Sequence, residues 1–117
     1  MESNIAVQRL SALAHENRLA VFRYLVKQGP DGIAAGEIAR ALNIAPNTLS
    51  THLNLLTNAE LIQGRREGRS IIYSTRYDGM SDLMLYLAED CCQGRAELCA
   101  PVANAIHNVS LCKVAGE

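Results

Sequence analysis

Between Ala35 and Ser74 the hydrophobic period of this chain changes once, from helical to alternating, and that change limits the fold to very few forms. Ile38, Ala39 and Leu42 give a short helix over Ala35–Leu42 one apolar face. Asn43-Ile44-Ala45 interrupts it, and Pro46 opens the next helix at a position where its missing N–H would have no partner anyway. In that helix Leu49, Leu53 and Leu56 fall at i, i+4, i+7, so one stripe faces inward. Its other positions, Asn47, Thr48, Ser50, Thr51, His52, Asn54 and Thr57, are uncharged, short and rich in hydrogen-bonding groups. After Ala59-Glu60 the pattern becomes strand-like. Leu61–Arg66 and Ser70–Ser74 flank Glu67-Gly68-Arg69, which predicts a β-hairpin.

Two helices are predicted before this segment and one after it. Ile5, Leu10 and Leu13 fall loosely on one face over residues 4–14; Leu19, Phe22, Leu25 and Val26 mark an amphipathic helix from Asn17 to Gln28. Gly29-Pro30-Asp31-Gly32 ends the latter. His15 is expected to pack or cap that helix, and Tyr73 and Tyr77 to pack at the hairpin base. Asp78 is expected to cap a last helix running to Cys91, with Leu83, Met84 and Leu87 on one apolar side and Met80, Leu85 and Tyr86 elsewhere. A helix apolar on more than one side is expected to bury more than one side. With 117 residues and 49% apolar content the core is small, so a second subunit is the expected cover. The fold class is therefore mainly α with a small β-hairpin, a winged helix-turn-helix assembled as a dimer. Residues 1–92 form the DNA-binding and dimerisation domain and 93–117 a C-terminal tail. The dimer contacts are assigned to Leu10, Leu83 and Leu87.

The net charge of −1 conceals an asymmetry. Residues 1–77 carry nine Lys/Arg against six Asp/Glu, and residues 78–117 carry two against six. Arg65, Arg66, Arg69 and Arg76 lie in one short window opposed only by Glu67, on and beside the hairpin. A local basic strip on a near-neutral domain points to a polyanion. A polar helix fits the major groove, where Asn, Ser, Thr and His hydrogen-bond base edges, and an arginine-tipped hairpin grips phosphates or enters a minor groove. The DNA-binding residues are thus assigned as Asn47, Thr48, Ser50, Thr51, His52 and Asn54 on the helix, with Arg65, Arg66 and Arg69 on the hairpin.

The four cysteines are confined to the C-terminal quarter: Cys91, Cys92 and Cys99 lie within nine residues, and Cys112 follows. Thiolates select soft ions. Adjacent Cα atoms are about 3.8 Å apart, shorter than the roughly 4.4–6.8 Å of a relaxed disulfide, so a Cys91–Cys92 bridge would be strained. Three thiols this close can ligate a metal or metalloid ion, act as redox-active thiols or simply pack, and the candidate ligands are Cys91, Cys92 and Cys99. Zinc prefers four ligands, commonly from Cys-x₂₋₄-Cys pairs absent here. Cys112 or His107 as a fourth donor keeps zinc or cadmium open, although His107 reads better as a tail residue. Gly94 lets the chain turn Cys99 back, and Arg95 favours thiolate over thiol. No Ser/His/Asp set, phosphate loop or paired buried carboxylates with motif context suggests catalysis. No run of about 20 apolar residues spans a bilayer. The first residues carry no basic-then-apolar leader, so a cytoplasmic location is expected.

Several stretches resemble one family. Leu13-Ala14-His15-Glu16-Asn17-Arg18-Leu19, the helix Leu49-Ser50-Thr51-His52-Leu53-Asn54-Leu55-Leu56, the following Ala59-Glu60-Leu61-Ile62 and the hairpin Arg66-Glu67-Gly68-Arg69 are similar to the ArsR family of winged-helix, metal-sensing repressors, over residues 5–92. The resemblance implies a homodimer joined through its first and last helices, bound to an imperfect inverted repeat in double-stranded operator DNA and released by the inducing ion. Its best-known arsenite site, a Cys-x-Cys pair, has no counterpart in Ala34–Ala39, and its zinc and nickel site needs a histidine that Asp78–Asp90 lacks. Cys91-Cys92 with Cys99 is similar to the vicinal pair plus third thiol of some arsenite-responsive members. The expected function is a repressor released by arsenite or antimonite. A thiol-based redox repressor and a winged-helix interaction module with structural zinc are the alternatives.

Overall fold

The computed structural model describes residues 1–91. The elements run α1 (Ser3–Leu13), α2 (Glu16–Gln28), β1 (Ile33–Ala34), α3 (Ala35–Leu42), α4 (Pro46–Asn58), β2 (Ile62–Glu67), β3 (Ser70–Thr75) and α5 (Tyr77–Cys91). The strands form one antiparallel sheet in the order β1-β3-β2. The hairpin is as the alternation predicts, with Glu67 opposite Ser70 and Ile62 opposite Thr75. Its two-residue turn places Gly68 at φ +64°, a backbone region open to glycine at little cost. The two-residue β1 is new: Ile33 pairs with Tyr73 and Ala34 with Ile72, which ties the loop before α3 to the wing.

One compact unit spans Met1–Leu83. Its core is Val21, Leu25, Ile38, Leu49, Leu56, Leu61 and Ile62, all fully buried, with Phe22, Leu53 and Ile44 around them. Ile44 anchors the turn between α3 and α4, and Asn43, left-handed at φ 54°, ends α3 so the chain can turn there. His15 caps α2 as expected: its Nδ1 accepts the Asn17 backbone N–H at 3.1 Å.

Three sequence expectations change. In α1 the inward face is Ala6, Arg9 and Ala12, while Val7 and Leu10 stand exposed. The reason is Arg9, which reaches the Gly79 carbonyl at 2.7 Å and lies 3.7 Å from the Glu60 carboxylate. Satisfying that buried guanidinium sets the rotation of the helix. In α2 the inward face centres on Val21, Phe22 and Leu25, which leaves Leu19 44% exposed. Asp78 does not cap α5. It sits in the helix's first turn and accepts from Arg76 at 2.7 Å.

The corner where α4, β2 and α5 meet is closed by charge. Glu60, left-handed at φ 62°, lies 3.1 Å from Arg76 and also faces Arg9. The start of α5 lies so close that a Cβ on Gly79 would fall on the Glu60 carbonyl oxygen, with the carbonyl carbon 3.1 Å away. Leu83 ends this unit, buried. The later turns of α5 present Met84, Leu85 and Leu87 exposed.

Candidate nucleic-acid interface

The stripe of Leu49, Leu53 and Leu56 turns the opposite side of α4 outward, and Asn47, Thr48, Ser50, Thr51 and Asn54 are all exposed there. Their groups are short donors and acceptors, of the kind that reads base edges. Ala45, the residue before α4, supplies no side-chain cap, so backbone N–H groups at that end remain open. Residues 35–58 thus form a helix-turn-helix whose second helix has one anchored face and one free polar face.

His52 departs from this assignment. Its side chain is 6% exposed and turned inward with Leu49, Leu53 and Leu56. It rests on His15, ring centroids 4.7 Å apart, and among the described residues neither ring nitrogen has a hydrogen-bond partner. One helical turn from Leu49 and Leu56 in either direction, position 52 belongs to the buried stripe; its polar side chain hid that in the sequence. Burial, then the neighbouring His15 and Arg18, holds its pKa below the ordinary histidine value.

The wing arginines divide into two kinds. Arg65 is committed to the protein, donating to Glu67 at 2.6 Å and to the Asp31 carbonyl at 2.9 Å. Arg66 and Arg69 are exposed, and among the described residues neither has a protein partner. Arg76, below the hairpin, is bound to Asp78 and Glu60, and its pKa is raised chiefly by the hydrogen bond it donates to Asp78. The positive charge free to meet phosphate is therefore at the turn, on Arg66 and Arg69. Ser50 of α4 and Arg69 and Ser70 of the wing face a common cleft of about 300 Å³.

The assigned dimer residues separate as well: Leu10 and Leu87 are each 41% exposed, whereas Leu83 is 5% exposed within its own chain. Among the described residues no three His, Cys, Asp or Glu side chains form a metal site. Cys91 closes α5. Of the assigned thiolate ligands, Cys92 and Cys99 lie outside the described residues, as does Cys112. The donor set itself is three thiols in nine residues, the ligand type that soft ions select. No described helix is long and apolar enough to cross a membrane.

A helix-turn-helix with a free polar reading face, followed by an arginine-turned wing, defines a DNA-binding transcriptional regulator of the winged-helix type. A family model described as a helix-turn-helix domain matches residues 13–65. The nodulation protein NolR of Rhizobium meliloti is 31% identical over 75% of this chain and 70% of its own. The transcriptional activator HlyU of Vibrio cholerae is 32% identical over 72% of this chain and 80% of its own. The reduced form of HlyU superposes with a TM-score of 0.59 at 27% identity, covering 76% of this chain and 92% of that one. The homodimeric winged helix-turn-helix domain Mb0332 of Mycobacterium bovis, a possible ArsR-family regulator, gives 0.61 at 26% identity, covering 77% and 82%. The chain belongs to the ArsR family of winged-helix transcriptional regulators.

Proposed function

We propose that this chain is a homodimeric repressor that holds an inverted-repeat operator and is released by arsenite or antimonite bound through Cys91, Cys92 and Cys99. The observation that carries the DNA half is the pairing of an exposed Asn/Ser/Thr face on α4 with unpartnered Arg66 and Arg69. The dimer half is supported by exposed Leu10 and Leu87 and by the homodimeric state of the Mb0332 domain. The inducer half rests on the donor set: a trivalent ion with three pyramidal bonds takes three thiolates, and residues 1–90 offer none. These activities belong in the reducing cytoplasm, where free thiols persist.

A second reading has one observation in its favour, the solved reduced form of the similar HlyU. In it Cys91 or Cys92 forms a disulfide with Cys99, two electrons and two protons passing to peroxide. One titration separates the readings. The reduced full chain is bound to a fluorescent duplex selected from random sequence, and anisotropy is followed against sodium arsenite and against hydrogen peroxide. Release near one arsenite per site, and none by peroxide, is expected. Release by peroxide alone assigns the chain to the redox reading, and retention under both refutes the cysteine switch.

A further inference from the structure

The head of α2 and the inner face of the recognition helix α4 meet at two histidines. His52 is a buried imidazole whose two nitrogens have no partner among the described residues, a rarity among buried polar groups. His15 lies against it at 4.7 Å with rings inclined by 47°. The His15 Nδ1 accepts the Asn17 N–H, so that nitrogen carries no proton. Burial without partners requires the His52 ring to be neutral. A proton on His15 Nδ1 removes the cap of α2 and sets a cation at the positive end of a helix. A proton on His52 buries a cation beside His15 and Arg18, with neither N–H satisfied.

Among the described residues, no carboxylate is bonded to His52 to offset that charge. In α1, Arg9 is committed to Gly79 and Glu60, and Glu2, before it, is exposed. In α2, Arg18 donates to the Ala12 carbonyl at 2.7 Å, and Glu16 is exposed. In α3, Glu37 pairs with Arg40; in β2, Glu67 pairs with Arg65, and Arg66 is exposed.

We propose that protons are a second input to this DNA-binding domain: the His52 ring, resting on His15, seats α4 only while it is neutral, so acidification unseats the recognition helix and weakens DNA binding. The inference rests on α4 being the helix that meets DNA, and it is independent of the cysteine switch. The sign follows from where the proton prefers to be. Seated His52 holds a proton less readily than an unseated one, so the seated state keeps its full share of stability above the ordinary histidine pKa of about 6.5 and loses it as pH falls below that value. Ordinary surface protonation acts oppositely, since added positive charge tightens DNA binding. Weakening on acidification therefore reports the buried His52.

The test uses the full chain and a duplex it selects from random sequence at pH 7.5, with anisotropy read from pH 7.5 to 5.5 at constant ionic strength. One ring that must stay neutral, against an unseated pKa of about 6.5, loses about tenfold per protomer over that range, about a hundredfold for a dimer. The comparison is the double variant His15→Asn, His52→Met, whose asparagine still caps α2 without titrating. Its affinity, normalised to its own value at pH 7.5, is expected to stay level or tighten. A wild type that stays level or tightens overturns the proposal, as does a double variant that weakens in parallel. If the variant does not fold, or if no duplex is selected, the histidine rings and α4 amides of the wild type are titrated by NMR. Amides of α4 shifting together with a His52 ring that titrates below 6.5 support the proposal. A His52 that titrates at or above 6.5 with α4 amides unmoved refutes it.

Discussion

Replacing Arg66 and Arg69 together with alanine is the sharpest probe of the wing, because the structure separates these two from Arg65. Both are exposed without a protein partner among the described residues, so their removal leaves no acceptor stranded. Arg65 instead closes contacts to Glu67 and Asp31. Each phosphate contact contributes about 0.9 to the slope of log affinity against log salt. Two arginines in each of two protomers make four contacts, so the slope should flatten by about 3.6. Between about 50 and 200 mM salt, wild-type affinity should then fall about 150-fold further than that of the double variant. Arg65→Ala should leave the slope in place and lower thermal stability slightly, since an exposed pair is worth at most about 1 kcal/mol. The assay is anisotropy on one selected duplex across that salt range. A double-variant slope equal to wild type, or an Arg65→Ala slope reduced as much, refutes the division of the wing.

Thr51→Ala removes a donor and acceptor from the exposed face of α4, so the ratio of affinities for selected and scrambled duplexes should shrink by about 1–3 kcal/mol; equal weakening on both would show that Thr51 does not read bases. Leu10→Asp and Leu87→Asp should each give monomers in sedimentation velocity, whereas Leu83→Asp, which buries a carboxylate in its own chain, should unfold the protein instead. Gly79→Ala gains about 1 kcal/mol of helix propensity. Against that stand about 1–3 kcal/mol of overpacking on the Glu60 carbonyl and part of the Arg9 hydrogen bond, itself worth about 1.5–3 kcal/mol. Urea unfolding should show a net loss of about 2–4 kcal/mol, and a variant as stable as wild type would refute the close approach.

The helix-turn-helix and the wing were legible in the sequence because each rests on a period: Leu49, Leu53 and Leu56 mark a helix, and alternation around Gly68 marks a hairpin. Features that break the apolar-inside rule were not. His52 fills an inward position with a polar ring, and Arg9 turns α1 by burying a charge whose partners, Gly79 and Glu60, lie far along the chain. Nothing local to residue 9 signals that contact. Strand β1 escaped because two residues carry no period. The roles of the wing arginines differ for the same reason, since the Asp31 carbonyl that engages Arg65 comes from a loop 34 residues away. The cysteines were legible as a donor set, by type and spacing alone.

Those cysteines carry the last prediction. Cys91→Ser, Cys92→Ser and Cys99→Ser should each abolish release by arsenite, while Cys112→Ser, thirteen residues beyond Cys99, should respond nearly as wild type. Serine keeps the size of the side chain and removes the soft thiolate, so loss of response isolates ligation. None of the four should weaken DNA binding before arsenite is added, because the reading face is built from α4 and the wing. The ion must then act by difference. On the proposed function it should bind more tightly to the form of the dimer that fits DNA poorly, and a coupling of about 1–3 kcal/mol would give roughly a 5–150-fold loss of affinity. Reciprocity supplies an independent measurement: operator DNA must weaken arsenite binding to wild-type protein by the same factor. Cys99→Ser protein that is still released at the wild-type arsenite concentration would refute the three-thiol site. Release without the reciprocal loss of arsenite affinity would show that the ion acts by some route other than a linked equilibrium, such as unfolding.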